Sequence, residues 1–419
     1  MVPNGWSLST FDNAGIIVTD GDRGKEYPKA IDFFEDEYCL FLSAKNVTKQ
    51  GFLFEDNQFI TEAKHRKLRK GTVNKGDVVL TTRGSVGHFA LYDDLGGFKC
   101  MRINSGMVTL NSSNSSVESD YFYTVCRSYL VSNQIEAVAF GSAQPQLTVK
   151  LIKNLKLPVP PLPEQRKIAK ILSTWDKAIS TTEKLIETSK QQKKALRQQL
   201  LTGKKRLVNP ETGKAFEGEW KEVKLGSLGT TVSGGTPSTN SVEYWDGDID
   251  WVTPTDITKL CTRTIGKTSR RITTLGLSHS SAKLVPARSL LICTRATIGE
   301  LAITEHEMCT NQGFKNIIPN NETDVEFLYY LIQSLKHQLI AKASGSTFLE
   351  LSKKGFESIR LLVPNREEQQ KIASVLTTVD KDIEVLEAKL SHFKQEKKAL
   401  MQQLLTGKRR VQVEESVAA

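Results

Sequence analysis

Residues Pro160 to Leu207 read PPLPEQRKIAKILSTWDKAISTTEKLIETSKQQKKALRQQLLTGKKRL, and residues Pro364 to Val411 read PNREEQQKIASVLTTVDKDIEVLEAKLSHFKQEKKALMQQLLTGKRRV. Aligned without a gap, 26 of the 48 pairs are identical by direct count, at a constant offset of 204 residues. Solenoid repeats run to only about 50 residues, so this period marks something else. It is the signature of a duplicated two-part module with approximate twofold internal symmetry.

Each copy predicts one long helix. Pro158, Pro160, Pro161 and Pro163 stop anything earlier, and proline at the first helical position is a normal start. Gly203 and Gly407 supply the C-terminal stops. Lys204, Lys205 and Arg206, and then Lys408, Arg409 and Arg410, sit at the negative ends of the helix dipoles. Apolar positions follow alternating spacings of four and three. In the first copy they are Ile168, Leu172, Trp175, Ile179, Thr182, Ile186, Ser189, Lys193, Leu196 and Leu200. In the second they are Ile372, Leu376, Val379, Ile383, Leu386, Leu390, Phe393, Lys397, Leu400 and Leu404. This is a coiled-coil seam. The alternative is an amphipathic helix on a globular core, for which about forty residues is long. The simplest partner for each helix is the other copy. Lys193 and Lys397 occupy corresponding seam positions and would face each other in a parallel pair, so the pairing expected is antiparallel. At about 1.5 Å per residue each helix is roughly 55 Å long.

A domain of about 150 residues precedes each helix. Gly76 to Gly87 (GDVVLTTRGSVG) echoes Arg288 to Gly299 (RSLLICTRATIG), Asn104-Ser105-Gly106 echoes Asn311-Gln312-Gly313, and Gly141-Ser142 echoes Gly345-Ser346. Elsewhere the halves diverge, so they share a fold but not a surface. Short β-rich runs bounded by glycine and polar residues, with helical runs at Ser119–Glu136 and Asp324–Ala343, predict α+β domains. The chain therefore divides into a first domain at 1–157, a helix at 158–207, a second domain at 208–361, a second helix at 362–411 and a tail at 412–419. Asn209 to Lys214 reads as a turn-rich linker. The fold class is α+β: two mixed α/β domains joined by two long antiparallel coiled-coil helices, with pseudo-twofold symmetry.

Composition narrows the function. The 419 residues suit two to four domains, and 39% hydrophobic with 25% charged residues is ordinary for a soluble protein. Lys and Arg outnumber Asp and Glu by 57 to 47. That surplus fits an anionic partner such as nucleic acid, or simply a mildly basic solvated surface. The cysteines at 39, 100, 126, 261, 293 and 309 form no CxxC pair, and Cys39, Cys126 and Cys293 lie in apolar runs. The expectation is buried reduced thiols in a cytoplasmic protein, with no disulfide frame and no metal site. No apolar run approaches the roughly 20 residues of a membrane span, and the N-terminus lacks a signal-peptide pattern.

Catalytic patterns are missing from the sequence. It contains no Asn/Asp-Pro-Pro-aromatic run of an amine methyltransferase, no GxGxxG after a strand and no GxSxG. Gly266-Lys267-Thr268 ends like a phosphate loop, but Cys261 stands where that loop needs glycine. The six histidines show no metal-binding spacing. No catalytic residue is expected.

Two polar and basic loop sets remain as candidates for DNA contact. Lys64, Arg66, Lys67, Arg69 and Lys70 place five cations within seven residues, suited to phosphates or to a solvated helix face. Lys267, Arg270 and Arg271 are expected at the comparable place in the second half. Arg83 and Arg295 end equivalent strands; each suits a guanine edge, a phosphate or an internal ion pair. Thr236 and Ser238 lie in a tight loop whose amides and hydroxyls suit a DNA backbone. Gln144 and Gln146 suit adenine or a loop cap. Aromatic residues make up 7%, with no stacking platform for single strands, so duplex DNA fits better.

The order of segments resembles the specificity subunit of type I restriction–modification enzymes. The resemblance rests on Pro160 to Gln165 before Lys167-Ile168-Ala169, Leu200 to Lys204, Gly234 to Ser238 with Tyr244, Trp245 and Trp251, and Phe41 to Val47, and it covers essentially the whole chain. In the second copy Asn365-Arg366-Glu367 replaces Pro161-Leu162-Pro163, which is expected to loosen the turn before that helix. The resemblance implies a non-catalytic reader with two target-recognition domains, each binding half of a split duplex site. It implies helices that set the gap and dock two methyltransferase subunits carrying S-adenosylmethionine, and a restriction motor–nuclease subunit using ATP and Mg. No cofactor is expected on this chain itself. A helix of roughly 55 Å spans at most about sixteen base pairs at ~3.4 Å each, so half-sites about one turn apart are expected. The rival readings are a self-contained methylase or nuclease, a coiled-coil scaffold without sequence preference, and an orphan or phase-variable subunit serving another complex.

Overall fold

The computed structural model describes residues 2–93, 97–139, 146–344 and 349–413. The chain forms two compact units, Met1–Glu183 with Ala388–Ala419, and Lys184–Glu387. The division runs through both long helices, Leu162–Leu200 and Arg366–Leu404, so each unit holds the first half of one helix and the second half of the other.

In the first unit a four-stranded antiparallel sheet has the order Ile17–Asp20, Met107–Asn111, Val78–Thr81, Phe89–Leu91. Beside it lies a three-stranded sheet of Phe59–Ile60, Cys39–Leu42 and Met101–Ile103, the last two parallel. The second unit repeats both. Gly229–Ser233, Phe314–Pro319, Leu290–Cys293 and Leu301–Thr304 carry Thr264–Ile265 as an added parallel edge, and Arg270–Ile272, Trp245–Val252 and Cys309–Thr310 form the three-stranded sheet. The runs VVLT and LLIC are buried at every position, which is why they read as unbroken apolar strands. Cys39, Cys126, Cys293 and Cys309 are buried thiols. Among the described residues no helix is long and apolar enough to cross a membrane.

The two expected single helices are each broken. Ser119–Cys126 and Tyr129–Ala139 replace one run, and Val325–Ser334 and Lys336–Ala341 replace the other. At the first break Ser128 is buried. Its hydroxyl donates to the Val125 carbonyl and accepts from the Leu130 amide, closing one helix and opening the next.

Every seam position in the long helices is buried or half-buried. In the first unit Lys397 Nζ meets Asp176 Oδ1 at 2.6 Å, Lys394 Nζ meets Glu183 Oε1 at 2.7 Å, and Trp175 packs edge-on against Phe393. In the second unit Lys193 meets Asp380 and Lys190 Nζ meets Glu387 Oε1 at 2.7 Å. Residue numbers rise along one helix as they fall along the other, so each unit contains an antiparallel pair. The four ion pairs are two pairs related by the 204-residue offset. The seam lysines are thus satisfied by aspartates rather than opposed by each other. Ile168 and Leu172 join Leu404 and Leu405 in the first core, as Ile372 and Leu376 join Leu200 and Leu201 in the second.

Both helix ends are fixed by the sequence. Gly203 and Gly407 have φ of +69° and +68°, the left-handed stop that favours glycine. A Cβ would also collide with Pro3 at Gly407. At the start of the second helix the turn is capped rather than loosened: the Asn365 carboxamide accepts from the Glu368 amide at 2.9 Å, replacing the prolines of the first copy.

Candidate nucleic-acid interface

In each unit three loops converge just past the strand Val78–Thr81 or Leu290–Cys293, where Arg83 or Arg295 follows two residues beyond its end. Thr82 and Thr294 donate their amides to the carbonyls of Gly106 and Gly313, both at 2.8 Å. Their own carbonyls accept from Leu147 at 3.1 Å and Leu351 at 2.9 Å. Asn104 and Asn311 close the facing turn through their side chains onto Gly106 and Gly313, at 2.8 and 2.9 Å. A Cβ on Gly21 or Gly234 would clash with the carbonyl of Asn104 or Asn311, so a third loop lies close against each turn. The framework is the same in both units; the side chains it presents differ.

In the first unit Arg83 is exposed at this junction. With its carbonyl oxygen turned to Arg83, the Gln146 amide accepts from Nη2 at 2.9 Å and Nε at 3.2 Å. Arg23 Nη2 donates to the Ser105 carbonyl and to Asp20, both at 3.2 Å. The basic run joins the same surface. Lys64, Arg66 and Lys67 lie on the short helix Glu62–Lys67, and Arg69 and Lys70 on the turn after it. The Arg69 amide donates to Asp22 at 2.7 Å, tying that turn to the Arg23 loop. Amide bonds from Gly24 and Arg69 hold the Asp22 carboxyl below the usual carboxylate range. Arg66, Lys67, Arg69 and Lys70 are exposed, while Lys64 turns inward to pair with Asp32 at 3.2 Å. Arg66 is bound to Glu62. Gln144 lies outside the described residues, as do the Gly141-Ser142 and Gly345-Ser346 echoes.

In the second unit aromatic residues gather the candidates. Trp251 Nε1 donates to the Gly235 carbonyl at 2.9 Å and Trp245 Nε1 to the Ser238 carbonyl at 3.0 Å, fixing the Thr236–Ser238 loop. The Arg270 guanidinium lies 3.7 Å above the Trp245 ring. The Thr236 hydroxyl bonds Gln312, next to the Asn311 turn. Arg295 is half-buried and its backbone bridges to Glu350. Ala296, at φ +61°, occupies the left-handed position that Gly84 fills in the first unit.

One expected correspondence fails. Arg270 and Arg271 lie on the strand Arg270–Ile272, the counterpart of Phe59–Ile60, and Lys267 lies in the exposed loop before it. The element matching the basic helix Glu62–Lys67 is Thr274–Ser278, which carries no charge. The sheet order fixes this alignment, whereas the sequence offers only a shared position ahead of the next strand. Arg23 was also missed, because Asp20 and Asp22 beside it disguise the charge.

Arg271 belongs to a network around Asp250, which is 6% exposed and accepts from Thr268 at 2.7 Å, Arg271 at 3.1 Å and His306 at 2.8 Å. Burial opposes its charge, but the bonds from Thr268, His306 and Arg271 outweigh it and hold the carboxyl below the usual range. A carboxyl with a lowered pKa contributes stability that is present above its unfolded value and lost as pH falls through its folded value. Below about pH 4, wild type is therefore expected to lose stability faster than Asp250→Asn. Urea midpoints followed down the acid range measure this, and equal slopes would exclude it.

Comparisons with known proteins agree with this duplicated architecture. The family described as Type I restriction modification DNA specificity domain matches residues 22–190 and 217–394. The chain is 39% identical over 168 residues to the type I restriction enzyme MjaIX specificity subunit of Methanocaldococcus jannaschii, spanning 40% of this chain and 39% of that one. It is 25% identical to the putative MjaX specificity subunit of the same organism over 98% of this chain and 95% of that one. It is 30% identical to the Escherichia coli EcoR124I/EcoR124II specificity subunit over 54% and 56%. The fold matches the S subunit of a Type-I restriction-modification system from M. genitalium, with a TM-score of 0.61 at 17% identity over 97% of this chain and 98% of that one. It also matches the HsdS subunit from Thermoanaerobacter tengcongensis, with a TM-score of 0.51 at 19% identity over 97% and 98%. With the family pattern covering most of both units, the chain belongs to the type I restriction–modification DNA specificity family.

Proposed function

We propose that this chain reads DNA for a type I restriction–modification complex without catalysing a reaction itself. Each recognition domain, 1–157 and 208–361, takes one half of an asymmetric bipartite duplex site. The observation that carries this reading is the loop framework built twice with different side chains: Arg83, Gln146 and Arg23 on one copy, and Thr236, Gln312 and Arg270 on the other. Guanidinium and carboxamide groups are the side chains that read purine edges in the major groove. The exposed cations at 66, 67, 69 and 70, with Lys267 in the other unit, supply phosphate contacts. The partners are two methyltransferase subunits, which carry S-adenosylmethionine, and through them a restriction motor–nuclease using ATP and Mg in the cytoplasm.

Selection from a random duplex pool with the methyltransferase partner present tests the proposal. It is expected to enrich two unlike half-sites separated by unread base pairs; enrichment of none would leave a scaffold without sequence preference. Turnover by the purified chain with cofactors and DNA would instead make it an enzyme in its own right.

The helices set the gap in this proposal. Seven residues inserted after Glu183, with seven more after Glu387, keep both seams in phase and add about 10 Å of helix. The unread gap is expected to grow by about three base pairs at ~3.4 Å each, with both half-sites unchanged. An unaltered gap in the selected sequences would remove the ruler role.

A further inference from the structure

The thiols of Cys39 and Cys100 and the imidazole of His65 each offer a ligand atom within 4.8 Å of the others. The fold builds this cluster from three separate elements of the first unit. Cys39–Leu42 and Met101–Ile103 run parallel, with the Leu40 amide donating to the Cys100 carbonyl at 2.9 Å, so Cys39 and Cys100 stand side by side. The helix Glu62–Lys67 lays His65 over them, with Cys100 Sγ 3.2 Å from Nδ1 and 3.7 Å from Nε2, and the Tyr38 ring tilted against the imidazole.

We propose that Cys39, His65 and Cys100 bind one zinc-class divalent cation. Bonds of about 2.3 Å to sulfur and about 2.0 Å to nitrogen put tetrahedral ligand atoms roughly 3.5–3.8 Å apart. Ligand atoms within 4.8 Å of one another reach that spacing by small side-chain shifts. Two thiolates and an imidazole select zinc over magnesium or calcium, which take oxygen ligands. The two thiol protons are released and the thiolate charges balance the ion. Water takes the fourth position.

Arg102 sets the condition for loading. Its Nε donates to His65 Nδ1 at 2.9 Å, a bond that a metal-ligated ring must give up. The guanidinium stays held by the carbonyls of Lys70, at 2.5 Å, and Leu68, at 2.9 Å. The ion would staple the helix that carries Arg66 and Lys67 onto two strands of the sheet beneath it. Only the use of Arg66 and Lys67 against DNA rests on the DNA-reading proposal.

The test uses the full chain expressed in zinc-supplemented medium under reducing conditions. Its metal content is read by elemental mass spectrometry, and the chelated chain is then titrated with Co(II). The expected result is about one zinc per chain, a thiolate-to-cobalt charge-transfer band, and loss of both in Cys100→Ser and in His65→Ala. Cys261→Ser, at an exposed thiol, should retain both. Circular dichroism confirms that each variant is folded. Wild-type chain that takes up neither zinc nor Co(II) overturns the proposal. So does a Cys39–Cys100 disulfide found as the resident state, or binding that survives in both folded variants. Because no DNA enters these measurements, failure here is separate from failure of the DNA-reading proposal.

Discussion

Glu368→Ala is expected to cost the second unit about 3 kcal/mol of stability, within the range for stripping a buried ion pair of one partner. Glu368 is 1% exposed and accepts from Arg206 Nε at 2.6 Å, Arg206 Nη2 at 2.7 Å and Trp220 Nε1 at 3.3 Å. Alanine leaves a largely buried guanidinium and an indole N–H without their acceptor. Arg206 retains the carbonyls of Glu217 and Gly218, which limits the loss. The duplication supplies an internal comparison. Glu164 accepts from Arg410 Nε at 2.8 Å and Trp6 Nε1 at 3.3 Å, but Arg410 is far more exposed than Arg206. Water can take over its hydrogen bonds, so Glu164→Ala is expected to cost the first unit less. Urea unfolding followed by tryptophan fluorescence reads both, since Trp220 and Trp6 sit at the two sites. A loss below about 1 kcal/mol for Glu368→Ala, the level of an exposed pair, would contradict the reading.

Arg83→Ala is expected to relax one half of the DNA site and leave the other intact. Arg295→Ala should do the reverse. A bidentate base contact is worth about 1–3 kcal/mol of discrimination, on the order of tenfold to a hundredfold. Arg83 stands exposed beside Gln146 at the end of an all-buried strand, a rigid mount for a reading side chain. Methylation rates on single-base variants of the site, measured with the partner subunit, separate the outcomes. A phosphate role would weaken every sequence alike and lower the salt slope by about 0.9. If either substitution relaxed both halves equally, one-domain-one-half reading would be wrong.

The helical parts of this protein are legible because their information is local. Four-and-three spacing, prolines before and glycine after each copy give the helices, and the two seam lysines give their antiparallel sense. Even the acceptors are present in the pattern, since Asp176 and Asp380 directly follow seam residues Trp175 and Val379. The strands that lead to Arg83 and Arg295 are legible as short apolar runs. What the sequence hides is set by distant strand pairing. Cys39, His65 and Cys100 are spread over 62 residues with no ligand spacing, and only parallel pairing of two strands brings the thiols together. The counterpart of the basic helix is uncharged, and sheet order alone identifies it. Glu164 and Glu368 read as ordinary first-turn acids, yet each is buried against an arginine and a tryptophan from elsewhere in its unit. Ser128, between the helices Ser119–Cys126 and Tyr129–Ala139, carries a local signal for the break, since serine is a capping residue.

The central claim is that two dissimilar recognition domains read two dissimilar half-sites. Methylome sequencing of a host that expresses this chain with its methyltransferase partner tests it most directly. The account predicts one split motif whose halves differ, with unread positions between them, and loss of that motif when this chain is deleted. A continuous motif, two identical halves, or a methylation pattern indifferent to the chain would contradict it.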